Sequence, residues 1–553
     1  MLTTENISLQ FGKRVLFDEV TISFAPGNCY GLIGANGSGK STFLKILSGE
    51  MESSRGTVST GPDERIAVLR QNQNEFDEME VLNTVIRGHK KLFDIFTERD
   101  SLYAKPDFSD ADGMRSAELE EEIGRMNGYN APADAGALLR GLDIPDTLHD
   151  LKMKELSAMQ KVRVLLAQAL FGNPDILLLD EPTNNLDIET VEWLEDFLID
   201  FRNTVIVVSH DRHFLDRICT HVADIDFGKI KLFTGNYTFW KQASELALRQ
   251  KQEYNKKMES KVTELKEFIA RFSANASKSS QATSRRNLLE KITLEDIKPS
   301  SRKYPFVGFK AEREPGNIIL SVEGLSKAVD GETLFSDVTF TVNAHDKIAF
   351  VSQNKMAVSS LFEVLIGVSK PDSGTIEWGT TITKEFFPKD VTSFFEADVN
   401  LIDWLRQYSK EKDEEFIRQF LGRMLFSGEE PLKKANVLSG GEKVRCMLSR
   451  MMLANANFLI FDDPTNHLDL ESISSLNDGM CTFKENILFT SHDHELMSTV
   501  ANRVIELGPV GTLDVVAAYD EFLHNEENKK KREELHARKL ERQEAPVKKK
   551  KAK

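Results

Sequence analysis

Residues Gly34 to Thr42 read GANGSGKST, which spaces glycines, a lysine and hydroxyls as G-x-x-x-x-G-K-[ST]. Gly34, Gly37 and Gly39 let successive backbone N–H groups turn inward onto phosphate oxygens, with Asn36 and Ser38 between them. Lys40 sets a cation on the β and γ phosphates, and the Ser41 hydroxyl, followed by Thr42, is a ligand for Mg²⁺. Further on, the apolar run ILLL ends in Asp180 and Glu181. Asp180 is suited to hold Mg²⁺, directly or through water. Glu181 is suited to orient or deprotonate an attacking water. His210 closes a second apolar run, VIVVS.

These groups need a particular scaffold. Residues 28–33 read as a strand running into the glycine loop, and STFLKILSG reads as the helix after it. ILLLD and VIVVS read as buried parallel strands of an α/β sheet, whose C-terminal edge is where ligands sit.

The chain is a repeat. Ser157, Asp180 and His210 have counterparts 282 residues on, in Ser439, Asp462 and His492. Upstream the offset is 318, which pairs Lys40 with Val358 and Gln71 with Lys389. The first copy therefore holds 36 extra residues between Gln71 and Ser157. A unit this long is a duplicated domain, not a solenoid repeat. The copies are placed at 1–238, with an insertion at about 81–130, and at 318–520. A linker at 239–317 and a tail at 521–553 complete the chain.

A length of 553 residues is too great for one ordinary domain. No run of 18 or more apolar residues occurs, so no membrane-spanning helix is expected. The N-terminus MLTTENISLQFGKRV lacks an apolar signal core. Cys29, Cys219, Cys446 and Cys481 form no C-x-x-C pair, so a zinc ribbon or disulfide framework is not expected. The expected compartment is a reducing cytoplasm. Net charge is −16, unevenly placed. Residues 241–300 carry 13 Lys and Arg against 8 Asp and Glu, and residues 529–553 carry 12 against 4. These two segments hold +13, which leaves −29 on the rest. Such asymmetry often marks contact with a polyanion, the alternative being a solvated linker and a solubilising tail. For the tail, where KKKKAK has no aromatic partners, the solubilising role is the favoured expectation.

The motif set resembles the ATP-binding cassette superfamily over nearly the whole chain. The resemblance implies ATP and Mg²⁺ as cofactors and hydrolysis to ADP and phosphate. It implies Phe11 as the adenine-stacking aromatic, Gln71 as the Q-loop residue at the metal and water, and His210 as the switch histidine. It also implies a head-to-tail sandwich within one monomer, in which each ATP lies between one copy's P-loop and the other copy's signature. Site one then joins the first P-loop to the signature Ser439, Gly440, Gly441 and Glu442, and every position fits the pattern.

Site two departs almost throughout. Val329 stands at the aromatic position, and Ser352, Lys355 and Ala357 stand at the glycines. Val358 replaces the lysine, Lys389 the glutamine, and Asp463 the catalytic glutamate. The opposing signature, after Ser157, has Ala158 and Met159 where two glycines belong. Asp462 and His492 stay on pattern. Loss of the lysine alone weakens phosphate binding about 10- to 100-fold. One active site out of two is expected.

In the linker, 239–272 reads as a long charged helix, SANASKSSQATS breaks it, and RRNLLEKI starts a second helix of a hairpin. Arg271, Lys278, Arg285 and Arg286 make its tip basic, and residues 268–289 contain no acid. This tip suits phosphate contacts of RNA. The layout resembles the ABC-F family, near its YbiT-like bacterial branch. The resemblance implies a translation factor whose linker enters the ribosomal E site and reaches toward peptidyl-tRNA in the P site. It places the insertion, as an arm, near the ribosomal L1 stalk and ribosomal RNA. Two other readings are an energy subunit of a transporter and a DNA-repair or DNA-architecture ATPase. The first needs a membrane partner and no basic hairpin; the second lacks the zinc motifs and long coiled coils expected of it.

Overall fold

Each copy is built on two sheets. The computed structural model describes the chain except residues 13, 36, 63, 70–71, 184–185, 187, 273–283, 285–286, 290–301, 330–331 and 544–553. In the first copy a six-stranded sheet runs Ile66–Val68, Ile176–Asp180, Thr204–Val208, Cys29–Gly34, His221–Asp226, Lys229–Thr234. The first five are parallel and the last is antiparallel. The strands Cys29–Gly34 and Thr204–Val208 are buried along their whole length, as apolar runs covered on both faces must be. A three-stranded antiparallel sheet, Arg14–Phe24, Leu2–Phe11 and Arg55–Ser59, packs on one side through Phe17, Phe24 and Ile7.

The second copy repeats this order. Its strands run Lys384–Phe387, Phe458–Asp462, Asn486–Thr490, Lys347–Ser352, Arg503–Leu507, Thr512–Val515. The register repeats too. Ile33 lies opposite Asp224 in the first copy, and Val351 lies opposite Glu506 in the second.

The chain falls into two units. One comprises Met1–Leu186, Glu192–Ser209 and Phe214–Arg302; the other comprises Asp187–Val191, His210–His213 and Lys303–Lys553. The boundaries differ from those read in the sequence. The long helix begins at Tyr237 and runs to Phe272. Residues 303–317, assigned above to the linker, belong to the second unit, because Val307 and Phe309 are buried in its core. The boundary expected between second copy and tail at 520/521 falls inside a helix, Tyr519–His524, and the tail contains a further helix, Glu526–Gln543. The remainder of the tail, and most of the expected second hairpin helix, lie outside the described residues.

The insertion forms a helical pair, Lys90–Tyr103 and Asp110–Arg125, preceded by a short helix Val81–Ile86. The second helix of the pair starts inside the segment KPDFSDADG. Ser109 and Asp112 form a reciprocal capping box there, satisfying two backbone donors at that point. Arg115 bridges back to Glu98 at 2.7 Å. Among the described residues, no helix is long and apolar enough to cross a membrane.

Candidate functional site: two P-loops built differently

In the first copy, the fully buried strand Cys29–Gly34 delivers the glycine loop to the helix Lys40–Leu47. Gly37 and Gly39 have φ of +73° and +101°, a region that penalises any side chain. A Cβ at Gly39 would meet the Phe17 ring at 2.8 Å, so the loop can pass only as glycine. Lys40 is buried, and its ammonium donates to the carbonyl oxygens of Gly34 at 2.8 Å and Ala35 at 3.4 Å. The cation is thus held over the hollow of its own loop. The Ser38 hydroxyl oxygen is buried and has no hydrogen-bond partner among the described residues. A phosphate oxygen in the loop would satisfy it.

The acids follow from the sheet. Asp180 ends the strand Ile176–Asp180 and is half-buried. Glu181 has φ +51°, and its N–H donates to Val208 O at 2.8 Å. A non-glycine residue in that region carries strain of about 1–3 kcal/mol, which the ladder bond to the next strand holds in place. Ser209, two positions after Val207 in that next strand's direction, bonds Thr183 at 3.4 Å and precedes His210. Mg²⁺ fits this donor set. It is a hard ion that takes one or two protein oxygens together with phosphate oxygens. Ser41, exposed at the helix start, and Asp180 would hold it.

The second copy keeps the scaffold and loses the cradle. Its helix runs Lys355–Ile366, capped by Asn354, whose side chain accepts from Met356 N. By the 318-residue offset, this helix begins at the position of Gly37, three residues before Lys40. With no glycine there, the backbone winds into helix, and its N–H groups no longer converge on one point. Ser352, at the first glycine position, uses its hydroxyl internally: it donates to Leu507 O and accepts from Asn354 N, both at 3.2 Å. Val358 is 3% exposed and packs in a core with Leu361 and Phe362. Where the first copy holds a cation over the loop, the second buries an apolar side chain.

The acids persist there. Asp463 has φ +52°, and its N–H donates to Thr490 O at 3.0 Å, the same arrangement as Glu181. Its carboxylate faces His492 at 3.3 Å and accepts from Asn466 at 2.7 Å. Asp462 is pushed up to about 6, first by burial, opposed by a hydrogen bond from Ser359 and by the charge of Lys389. Ser359 occupies the Ser41 position, and the sequence reading did not single it out although the 318-residue offset locates it. Val358, Lys389, Asp462, Asp463 and His492 line a cavity of about 70 Å³. That is room for a few waters, at roughly 10–15 Å³ each.

The two signature segments start their helices alike. Ser157 caps Ala158–Leu170 in a box with Gln160, and Ser439 caps Gly440–Ala454 in a box with Glu442. At Gly440 a Cβ would stand 3.0 Å from the His467 ring, and at Gly441 it would stand 2.8 Å from His467 O. These glycines have a packing role within the second copy. Met159 is exposed in the first copy. Phe11 and Val329 end their strands at equivalent hairpin turns, opposite Arg14 and Glu332, and both are exposed. Asn36, Gln71, Lys278, Arg285 and Arg286, and the side chains of Arg271 and Lys355, lie outside the described residues.

Residues 17–184 and 335–466 match a family described as ABC transporter, and residues 223–309 match a second family of the same description. The chain is 59% identical to the Bacillus subtilis uncharacterized ABC transporter ATP-binding protein YkpA, over 97% of this chain and 100% of that one. It is 45% identical to the Escherichia coli O157:H7 probable ATP-binding protein YbiT, over 95% and 99%. It is 30% identical to the Homo sapiens ATP-binding cassette sub-family F member 3, over 94% and 73%. A solved RNase-L Inhibitor structure shares the fold, with a TM-score of 0.60 at 16% identity over 96% of this chain and 98% of that chain.

Proposed function

The chain belongs to the ABC-F family of tandem ATP-binding cassette proteins, and we propose that it is a ribosome-associated ATPase with one hydrolytic site. ATP binding closes the cassettes, the closed form binds the ribosomal E site, and hydrolysis at site one releases it. Within site one, the loop N–H groups and Lys40 bind and orient the phosphates. Glu181 accepts a proton from the attacking water, and His210 marks the γ-phosphate end. Bound Mg²⁺ would offset phosphate charge between Ser41 and Asp180. Site two serves as a non-hydrolytic face of the sandwich.

The single observation that supports one hydrolytic site is the pair of P-loops. One has a glycine cradle with a cation above it; the other is wound into helix over a buried valine. The ribosome as partner rests on the ABC-F resemblance and on the basic linker, whose first helix leaves the first cassette for 36 residues. The test is co-sedimentation of the Glu181→Gln protein with ribosomes and with membranes in the presence of ATP. Retention on ribosomes supports the reading. Retention on membranes alone would favour a transporter energy subunit, and retention on DNA alone a DNA-architecture ATPase.

A further inference from the structure

The repeat continues past the sheets into whatever leaves each cassette. At the 282-residue offset Asp224 pairs with Glu506, Tyr237 with Tyr519, and Trp240 with Phe522. Each acid lies on the strand beside the P-loop strand, in register with the residue just before the loop: Ile33 opposite Asp224, Val351 opposite Glu506. A carboxylate buried in an apolar sheet needs a partner.

In the second cassette that partner is the C-terminal helix Glu526–Gln543. Glu506 is 1% exposed; Arg532 reaches it at 2.6 Å and His536 at 2.7 Å. The Arg532 guanidinium lies 5.6 Å from the Phe522 ring. Leu535 of the same helix fills the space over Gly508, where a Cβ would meet it at 2.5 Å. In the first cassette the same niche takes an arginine from elsewhere. Arg302 donates to Asp224 at 2.6 Å and lies 4.6 Å from the Trp240 ring, with both charged side chains nearly buried. Arg532 follows Phe522 by 10 residues; Arg302 follows Trp240 by 62, after the whole linker.

We infer that Arg302, seated on Asp224 and Trp240, is a positioning residue that clasps the end of the linker to the strand beside the P-loop, so that nucleotide at the loop governs how the linker is held. The inference rests on the proposed ATPase reading for the nucleotide's effect, but not on the ribosome as partner. Two features favour it. Arg302 is the last residue of the first unit, and the next residue begins the long segment Lys303–Lys553 of the second. The two strands also cannot slide freely: a Cβ at Gly34 would meet Ile225 O at 2.8 Å, so the loop's first residue lies hard against the strand that carries Asp224. A displacement of the loop strand is passed to Asp224, and through it to Arg302 and the linker's end. The arginine is chosen for the task, since a planar guanidinium can stack on the ring and fork onto the carboxylate together.

The test is amide hydrogen exchange of the full-length protein with and without ATP and Mg²⁺, with no ribosome present. In the unaltered protein ATP slows exchange both in the loop at 34–42 and in the helix Tyr237–Phe272. Arg302→Met keeps the protection of the loop and loses that of the helix by about 5-fold or more, the low end of ordinary coupling. Arg302→Lys, which keeps the charge and loses the stacked fork, shows the same split to a smaller degree and covers the case in which the methionine variant fails to fold. The paired exchange Asp224→Arg with Arg302→Asp restores part of the helix protection. Helix protection that survives undiminished in Arg302→Met, or undiminished in Arg302→Lys, would overturn the inference. So would loss of loop and helix protection together, or an unaltered protein whose helix ignores ATP. Failure of ribosome co-sedimentation leaves this result untouched.

Discussion

The first and second P-loops sit on equivalent strands, precede equivalent helices and lie in equivalent sheet registers, yet their backbones do different things. In the first, Gly37 and Gly39 hold positive φ, and the helix waits until Lys40. In the second the helix starts at the Gly37 position, and the residue standing for Lys40 is a core valine. The acids did not diverge with the loops. Glu181 and Asp463 share a left-handed backbone, the same ladder bond and a neighbouring hydroxyl pair, Thr183 with Ser209 and Thr465 with Ser491. The second scaffold keeps its acids but carries a buried valine where the first carries its lysine, so the fold persists without the glycine cradle and its cation.

That contrast can be broken in several ways. The largest effect is expected at the base. Glu181→Gln lowers steady-state phosphate release about 100- to 10,000-fold, the usual range for a general base, whereas Asp463→Asn changes it by less than about 2-fold. Equal losses would restore symmetry between the sites. Next come the loop residues. Lys40→Ala weakens ATP binding about 10- to 100-fold in a nucleotide titration. Val358→Ala leaves nucleotide affinity unchanged and instead costs roughly 1–3 kcal/mol in a urea melt, as a core truncation does.

A third effect concerns pH. Asp462 is raised from 3.8 to about 6, so the folded chain holds its proton longer than the unfolded chain does. The stabilising contribution is complete below about pH 4 and is lost as pH rises through about 6; the total is roughly 3 kcal/mol. Asp462→Asn has no such step. Its stability relative to the unaltered protein should rise across that window and stay level above it, as read from melts at several pH values. A flat difference would show that burial of Asp462 has been misjudged. The smallest effect is at the first signature: Met159→Gly should change turnover less than about 2-fold, because hydrolysis is assigned to the first P-loop with the second signature.

Much of this contrast was legible in the sequence, because glycine, lysine and glutamate report backbone and charge requirements directly. The two offsets located the equivalent strands, and the observed registers agree with them residue by residue at Ile33 and Val351. The early start of the second helix was less visible. Its signal is Asn354, a capping side chain placed before KMAV, and alignment to the first loop drew attention to what was missing and away from what the new residues do. The return of 303–317 to the second core rests on Pro305, Val307 and Phe309, buried at every second position between the exposed Tyr304 and Phe306; with apolar residues on both faces, the alternation is not visible in the residue types alone. The docked C-terminal helix had one trace, the lone Glu506 in the apolar strand RVIEL, and a basic helix with little apolar content gave no reason to connect them.

The most direct measurement is the number of ATP molecules held by the Glu181→Gln protein, counted with labelled nucleotide after rapid removal of free ligand. The account predicts about one ATP per chain, lost when Lys40→Ala is added and kept when Lys389→Ala is added, since the cradle and its cation exist only in the first loop. Two ATP molecules per chain, or one that survives Lys40→Ala, would contradict it.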